Sequence, residues 1–374
     1  MLCMGLVLAA GPLLWVLLRH RRATPLGRLQ ALTLVTLFLT FDLVLFGAFT
    51  RLTDSGLGCP DWPGCYGNAS PIGASASIAE AQSAMPTGPV THGKAWVEMV
   101  HRYLATSVGA LSVALVIATW LAGRAGAGDG RKAPSLWWPA LTLAWVCIQG
   151  AFGALTVTMK LFPAIVSLHL LGGYVLLALF TVQAVVLDQQ QAVREAQMLP
   201  VPLRLWIMLA LAMLLVQATS GAWVSTNYAV LACSTFPQCQ GGWWPTMDFA
   251  QGFEIWRPLG FSQDGSHISF QALTAIHYTH RMLAALTVLV LAGLAWRLRG
   301  VPALRKPTGW LAGLLALQLI TGLSNVVLDW PLLAAVLHTG GAGALVAVLV
   351  WLLTASRTPT SMEGAHALQP RFSE

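Results

Sequence analysis

The sequence predicts an all-α polytopic membrane protein, built from two four-helix transmembrane bundles related by a pseudo-twofold axis, with an extra helix at the N-terminus. Three observations support this fold class: the composition, the length of the apolar stretches and an internal repeat. Of the 374 residues, 56% are hydrophobic, only 9% are charged and 16 are tryptophan. A chain of this composition cannot cover itself with a polar surface, so we place it in a lipid bilayer.

Eight apolar stretches are long enough to cross a bilayer. A spanning helix needs about 20 largely apolar residues, whereas a barrel strand would alternate apolar and polar residues over roughly ten. The stretches are rich in Leu, Ala, Val and Gly, which favours helices. They lie near 31–50, 96–121, 136–158, 164–187, 205–224, 272–296, 310–328 and 332–355.

A ninth apolar stretch covers residues 1–18 and is followed by Arg19, Arg21 and Arg22. A secretory signal carries its positive charge before the apolar run, so this order indicates an anchoring helix whose N-terminus lies outside. A short re-entrant segment is the alternative.

The basic residues predict the orientation, because Lys and Arg accumulate in short cytoplasmic loops. Fifteen of the 21 basic residues lie at one set of helix ends, which we assign to the cytoplasm. The long loops 51–95 and 225–271 then face the periplasm of a bacterial inner membrane. The net charge of +7 marks the inner membrane face and does not indicate nucleic-acid binding. The outward six are Arg51, Lys94, Arg102, Lys160, Arg257 and Arg281.

The two halves of the chain repeat each other, and each contains four spans. An even number of spans means that both copies enter the membrane in the same sense. The matching positions are Gly47 and Gly221, Cys59 and Cys233, Pro63 and Pro237, and Cys65 and Cys239, all offset by 174 residues. The predicted units are an N-terminal anchor with its basic linker (1–28), a first bundle (29–187), a cytoplasmic linker (188–204), a second bundle (205–355) and a cytoplasmic tail (356–374).

Four cysteines lie in the two outward loops, in a compartment where disulfides persist. Cys59 and Cys65 form one pair and Cys233 and Cys239 the other, each with five residues between its members. We expect two small disulfide loops, which either brace the loops or take part in redox chemistry. Zinc sites have tighter cysteine spacing and further ligands, which argues against metal binding here.

Four histidines recur at matching places: His101 and His169 in the first half, His280 and His338 in the second, offset by 179 and 169 residues. Buried imidazoles in a membrane need a polar partner or a metal. One pair in each bundle favours axial ligation of two haems over a structural role, and the few carboxylates disfavour copper or di-iron clusters. Glycines follow one histidine of each pair, either to admit a flat macrocycle or to allow close helix packing: Gly172, Gly173, Gly340 and Gly341.

The halves differ three residues before the first ligand, where Glu98 precedes His101 and His277 holds the matching place. Three residues apart on a helix means the same face. A carboxylate beside a bound macrocycle is a candidate acid, base or charge stabiliser. The alternative is a salt bridge to Arg102 or Lys94.

Other charged groups near the membrane also suggest roles. Arg102 and Arg281 suit haem propionates, because a guanidinium binds a carboxylate through two parallel hydrogen bonds. Snorkelling towards the interface is their alternative. Asp42 lies in the middle of a span and is expected to be protonated or hydrogen-bonded, with a proton relay as a further option.

The run GAFTRLTDSGLGCPDWPGC at 47–65, with Glu98, His101, Arg102 and the later histidines, closely resembles the haem A synthase family. The resemblance covers about residues 29 to 355. The sequence departs from the family in its N-terminal stretch and in its second cysteine pair, which some members lack.

The resemblance implies a haem-dependent oxidoreductase that converts the C8 methyl of haem O to the formyl of haem A by successive oxygen-dependent hydroxylations and loss of water. It also implies that His101 and His169 hold the substrate haem, that His280 and His338 hold haem b, and that Glu98 is catalytic. An iron with two histidine ligands has no free position for dioxygen, so haem b is better suited to electron transfer.

The resemblance further implies haem O synthase and cytochrome oxidase assembly factors as partners, together with an electron donor that the sequence does not identify. A homo-oligomer is compatible with the sequence. The main alternative is a non-catalytic di-haem b electron carrier, which would hold haem b in both bundles. A transporter built from parallel repeats is disfavoured by the paired histidines and unbroken helices.

Overall fold

The computed structural model describes residues 1–126, 134–192 and 195–358. The basic residues Arg131, Lys132, Arg194 and Arg371, and most of the predicted tail, lie outside these ranges. The described helices are α1 (Leu2–Arg19), α2 (Pro25–Leu52), α3 (Ser75–Ala84), α4 (His92–Gly126), α5 (Trp137–Thr158), α6 (Pro163–Ala192), α7 (Val201–Thr226), α8 (Phe249–Gly252), α9 (Phe270–Leu298), α10 (Arg305–Val327) and α11 (Leu332–Thr354). Two short strands pair in parallel: β1 (Gln197–Met198) and β2 (Ser356–Arg357).

Nine helices of the described chain are long and apolar enough to cross a membrane: α1, α2, α4, α5, α6, α7, α9, α10 and α11. The prediction of an all-α polytopic membrane protein is therefore confirmed. Several helices extend beyond the apolar stretches that predicted them, and α6 continues to Ala192, past the boundary expected at 187. Backbone hydrogen bonding continues through polar residues where hydropathy falls, so hydropathy places helix ends poorly.

Local sequence explains several helix ends. The Thr24 hydroxyl caps α2 by accepting from the amide of Gly27 at 3.1 Å, and Pro25 occupies the first helical turn, where its missing N–H costs nothing. Ser269 caps α9 in the same way, accepting from the amide of Ala272 at 3.2 Å. Within α2, threonine hydroxyls bond to carbonyls of the preceding turn, which removes the cost of burying them: Thr33, Thr36 and Thr40.

Each half of the chain forms a ring of four helices. In the first bundle, α2 and α5 both pack against α4 and α6, so α4 and α6 occupy opposite corners. In the second bundle, α7 and α10 both pack against α9 and α11, so α9 and α11 occupy the corresponding corners. A four-helix ring builds cofactor sites from side chains that project inward from facing helices.

Residues at matching repeat positions touch each other between the bundles. Arg51 donates to the carbonyl of Ser225, and the hydroxyl of Tyr228 lies 2.7 Å from the Asp54 carboxylate, each contact joining positions 174 residues apart. Deeper in the membrane, α6 and α11 pack together. Equivalent residues can meet only near the axis that relates their repeats, so these contacts place a pseudo-twofold axis between the bundles.

Two further elements pack outside the four-helix rings: helix α1 and the short strand pair β1–β2. Helix α1 packs against α4 and α2 on the outside of the first bundle, where a Cβ at Gly5 would overlap the Thr106 side chain. On the other side, β1 and β2 pair the linker with the end of α11, and Arg204 bonds to Ser356. The segment before α7 therefore contacts the segment after α11 in the second bundle, whereas the first bundle has an additional helix, α1, packed against it.

Candidate functional site

The four predicted ligands lie on the opposite-corner helices of the two rings. His101 lies nine residues into α4 and His280 ten residues into α9, whereas His169 and His338 each lie six residues into α6 and α11. Within each bundle the two histidines therefore lie on helices that share the same two neighbouring helices. The structure thus brings each predicted pair together inside one bundle, at matching depth.

Each of these imidazoles rests with its Cε1 edge against a glycine of a neighbouring helix. At three of the four glycines an added Cβ would lie 3.0 Å or less from Cε1, so an alanine would require the ring to shift, whereas at Gly153 it would make an ordinary contact. The distances from the added Cβ to Cε1 are 3.0 Å for Gly47 and His101, 3.5 Å for Gly153 and His169, 2.9 Å for Gly221 and His280, and 3.0 Å for Gly322 and His338. Sequence reasoning missed Gly153 and Gly322 as site residues, although their offset of 169 residues equals that of the histidines they support.

In the second bundle each imidazole has a hydroxyl partner at Nδ1. Ser220 Oγ lies 2.8 Å from Nδ1 of His280, and Thr321 Oγ1 lies 3.0 Å from Nδ1 of His338. The amide nitrogen of Gln217 also lies 3.1 Å from His280 Nδ1 and 3.4 Å from its Nε2. These polar contacts hold the second pair of rings in a defined orientation.

The first bundle has phenylalanines at the corresponding positions. Phe46 lies one residue before Gly47, as Ser220 lies one before Gly221, and its ring stacks on His101 with centroids 6.3 Å apart. Phe152 matches Thr321 in the same way. Nδ1 of His101 and Nδ1 of His169 are buried, and neither finds a hydrogen-bond partner among the described residues.

The glycines that follow His169 and His338 lie against neighbouring side chains. A Cβ at Gly172 would overlap the amide of Gln149, and one at Gly341 would overlap the amide of Gln318. Gly173 faces Val44, and Gly340 faces Leu45 on α2. Of the two roles considered for these glycines, admitting a flat macrocycle or allowing helices to pack closely, the contacts match the second, because each glycine makes room for a side chain of an adjacent helix.

Glu98 is 4% exposed and lies near the N-terminal end of α4, beside the first disulfide loop. One carboxylate oxygen pairs with Nη2 of Arg102, and the other accepts the backbone N–H of Cys59 at 2.8 Å. The salt bridge to Arg102 foreseen as an alternative therefore exists in the structure. It gives a carboxylate at the membrane boundary the charged partner and hydrogen bonds that its burial requires.

Arg102 joins this carboxylate to the first outward loop. Its Nη1 donates to the carbonyls of Asp61 at 2.9 Å, Pro63 at 3.2 Å and Gly64. The arginine side chain is 7% exposed. Loop carbonyls thus occupy the guanidinium group for which the sequence suggested haem propionates, and the propionate role stays a prediction.

The second bundle repeats this arrangement with a neutral group in place of the carboxylate. Nδ1 of His277 accepts the backbone N–H of Cys233 at 3.3 Å, and Arg281 Nε contacts His277 Nε2 at 3.3 Å. Arg281 also donates to the loop carbonyls of Cys233, Thr235 and Gln238. Both loops are therefore held by the same pattern of bonds, but only the first encloses a buried carboxylate.

Both predicted disulfides are present, which confirms the cysteine pairing. Each is followed by a tight turn in which two residues have positive φ and the flanking backbone groups bond reciprocally. Those residues are Tyr66 and Gly67 in the first loop, and Gln240 and Gly241 in the second. Glycine at the second position provides the left-handed conformation that such a turn demands.

Asp42 lies in α2, five residues before Gly47 and outside the contacts that hold the histidines. Its carboxylate makes no hydrogen bond or ion pair with another described residue. The proton relay considered from the sequence stays a prediction.

These side chains fit a haem in each bundle. Two imidazoles from opposite corners are the axial donor set of a low-spin haem iron. In the second bundle the hydroxyls contact Nδ1, which favours Nε2 as the nitrogen that would bind a metal, and in the first no described residue hydrogen-bonds to the buried Nδ1 atoms. No group of three or more metal-binding side chains occurs in the part of the chain that the structure describes, so the sites are histidine pairs and not clusters.

The chain is similar to proteins of one family over most of its length. Residues 30–350 match the family described as cytochrome oxidase assembly protein. The haem A synthase of Shewanella oneidensis is 37% identical over 318 residues, which cover 84% of this chain and 93% of the relative. The haem A synthase of Novosphingobium aromaticivorans is 29% identical over 355 residues, covering 88% and 96%. That of Rhizorhabdus wittichii is 27% identical over 352 residues, covering 88% and 95%.

Proposed function

Because the chain belongs to the haem A synthase family of cytochrome oxidase assembly proteins, we propose that it oxidises haem O at the histidine pair of the first bundle and holds haem b in the second. It is a multi-pass membrane oxidoreductase of haem A biosynthesis. The proposal therefore concerns which bundle does which task and which residues carry it out.

A single difference between the bundles supports this assignment: the buried carboxylate of Glu98 lies beside His101, and a neutral imidazole stands at the matching place beside His280. Oxidation of a methyl to a formyl group requires proton transfers at the reacting carbon, and a carboxylate can accept and return protons. His277 makes the matching contacts with a backbone N–H and with Arg281, so the carboxylate itself, and not its surroundings, is what the first bundle adds. The first bundle is therefore the better site for the chemistry.

The histidines orient the two macrocycles. In the first bundle, His101 and His169 would bind the iron of haem O through Nε2 and hold its C8 methyl in a fixed position. In the second, His280 and His338 would bind haem b. Haem b bound there would supply electrons to the reaction in the first bundle.

Glu98 handles protons in this scheme. Dioxygen is the proposed oxidant, and an external donor supplies the electrons for the two hydroxylations. The hydrated formyl group then loses water: the carboxylate of Glu98 takes the proton from one hydroxyl as the carbonyl forms, and the other hydroxyl leaves as water after protonation. Arg102 and the Cys59 amide hold the carboxylate of Glu98 in place between turnovers.

The orientation follows from the basic residues, and the names of the bacterial relatives support an inner-membrane location. We propose that both disulfide loops face the periplasm. Haem O synthase is the proposed source of the substrate, and cytochrome oxidase assembly factors are the proposed recipients of the product.

Pigment extraction from the purified protein tests the assignment. Reversed-phase chromatography should recover haem b together with haem O or haem A. His280→Ala should lose haem b, whereas His101→Ala should keep haem b and lose the substrate pigments. If the parent protein instead yields haem b alone, and His280→Ala and His101→Ala each contain less haem b than the parent, the protein is a di-haem b electron carrier.

A further inference from the structure

The residue immediately before each supporting glycine differs systematically between the bundles. In the second bundle it is Ser220 on α7 and Thr321 on α10, and both contact Nδ1 of a histidine. In the first it is Phe46 on α2 and Phe152 on α5. The repeat therefore keeps the glycine in all four helices but provides a polar partner for only one pair of imidazoles.

The hydroxyl hydrogens determine the direction of these bonds. A hydroxyl has one hydrogen to donate. The carbonyl of Gln217 lies 2.8 Å from the Ser220 hydroxyl, and the carbonyl of Leu317 lies 2.8 Å from that of Thr321. With each hydroxyl hydrogen given to its carbonyl, both oxygens would accept from Nδ1–H of an imidazole, which would leave Nε2 as the nitrogen that can bind a metal.

Glutamine amides add to the support of the second pair. The amide nitrogen of Gln318 donates to the carbonyl of His338 at 3.0 Å, and that of Gln217 lies 3.3 Å from the carbonyl of His280. Because Gln217 has this carbonyl as an acceptor, its closeness to the ring nitrogens is compatible with Nδ1–H of His280 donating to Ser220.

The first pair lacks such an acceptor. Nδ1 of His101 and Nδ1 of His169 are buried and unpartnered among the described residues, and Phe46 presents only an aromatic face to His101. No hydrogen bond from a described residue to Nδ1 selects one tautomer of these two imidazoles. Partners of the non-ligating nitrogen fix the tautomer, orient the ring and raise its basicity as a ligand.

We propose that Ser220 and Thr321 are positioning residues that retain the haem of the second bundle, and that Phe46 and Phe152 keep the first-bundle ligands weakly held so that haem can exchange there. The inference rests on the proposed assignment of substrate and cofactor to the two bundles. A substrate must enter and leave in every turnover, whereas a resident cofactor must not. The residue before each supporting glycine is polar in the bundle that would retain its haem and apolar in the bundle that would exchange it.

The test measures haem loss and reduction potential in the full-length protein in detergent, with excess apo-globin to capture released haem. In Ser220→Ala and Thr321→Val, loss of haem b should be about 10-fold faster, the lower end of the usual effect of removing such a partner. The reduction potential of haem b should rise, because a less basic imidazole stabilises ferric iron less. Ser220→Thr and Thr321→Ser keep a hydroxyl and should behave as the parent protein does.

Two neighbouring hydroxyls serve as matched controls. Thr219 bonds only to the Leu215 carbonyl and Ser324 only to the Ile320 carbonyl, so Thr219→Val and Ser324→Ala should leave haem b loss unchanged. In the opposite direction, Phe46→Ser and Phe152→Thr should slow the loss of pigment from the first bundle.

The outcomes separate the inference from the assignment on which it rests. If His280→Ala lacks haem b but Ser220→Ala and Thr321→Val match the parent protein in both measurements, the positioning role is overturned and the proposed function stands. If His280→Ala retains haem b, the assignment itself fails. Faster haem b loss in the two hydroxyl variants, with unchanged controls, supports the inference.

Discussion

Near the N-terminal end of α4 the carboxylate of Glu98 faces Arg102, whereas at the matching place on α9 the imidazole of His277 faces Arg281. The surrounding bonds are otherwise alike, since a cysteine N–H and several loop carbonyls complete both arrangements. Both repeats therefore use an arginine to attach the disulfide loop to the helix that carries the histidine. They differ in the group that the arginine contacts on that helix, which is a carboxylate in the first repeat and an imidazole in the second. Under the proposed assignment, a few substitutions at matching positions would distinguish the bundle that oxidises haem O from the bundle that transfers electrons.

The largest expected effect concerns that charge. Glu98→Gln keeps an oxygen to accept the Cys59 N–H but removes the proton acceptor. We expect haem A formation to fall by about 100-fold or more, the usual range for a general acid or base, while haem b content is retained. Chromatography of extracted haems measures the yield. Glu80→Gln makes the same change at an exposed position of α3 and should have no effect; a normal haem A yield from Glu98→Gln would remove the catalytic role.

The second prediction compares the two arginines. Arg102→Ala leaves a buried carboxylate without its partner, which costs about 3–5 kcal/mol, whereas Arg281→Ala leaves a neutral imidazole and loop carbonyls, which costs about 1–3 kcal/mol. The midpoint temperature of thermal unfolding in detergent should therefore fall further for Arg102→Ala than for Arg281→Ala.

The double variant Glu98→Gln/Arg102→Ala sharpens the same comparison. It removes both charges and should recover part of the stability lost in Arg102→Ala, because no unpaired charge stays buried. Equal destabilisation by the two arginine variants, without recovery in the double variant, would show that the enclosed charge does not distinguish the loops.

Much of this arrangement could be predicted from the sequence, because it depends on long or repeated patterns. Apolar length predicted the membrane helices, and the 174-residue offset related the two cysteine pairs that form the disulfides. Helix ends were less predictable: α6 passes its apolar stretch into Asp188–Ala192, because backbone hydrogen bonds do not depend on side-chain hydropathy.

Contacts between helices needed the structure. The close approach of Gly322 to His338, and the bond from Thr321 to the same ring, depend on α10 and α11 being neighbours in a particular rotation. The packing of Gly340 against Leu45 depends on how the bundles meet. Aligning the repeats would have revealed that Phe152 stands where Thr321 does, but not that this position faces an imidazole.

The smallest expected effects come from the four supporting glycines, and they test whether both bundles hold their ligands by the same steric means. Overpacking costs about 1–3 kcal/mol, and the added Cβ would lie 2.9 Å from Cε1 at Gly221, 3.0 Å at Gly47 and 3.5 Å at Gly153. Gly221→Ala should therefore lower haem b content, Gly47→Ala should lower first-bundle pigment, and Gly153→Ala should have the least effect.

Glycines elsewhere on the same helices give the matched comparison. A Cβ at Gly150 on α5 or Gly313 on α10 meets nothing within 4 Å, so alanine there should leave pigment unchanged and strengthen the helix by up to about 1 kcal/mol. Pigment loss confined to the bundle that carries the substitution would show that each glycine acts through its own imidazole. Equal loss from both bundles, or from Gly150→Ala, would instead mean that these substitutions disturb the whole fold, because steric contact with one ring cannot reach the other bundle's haem.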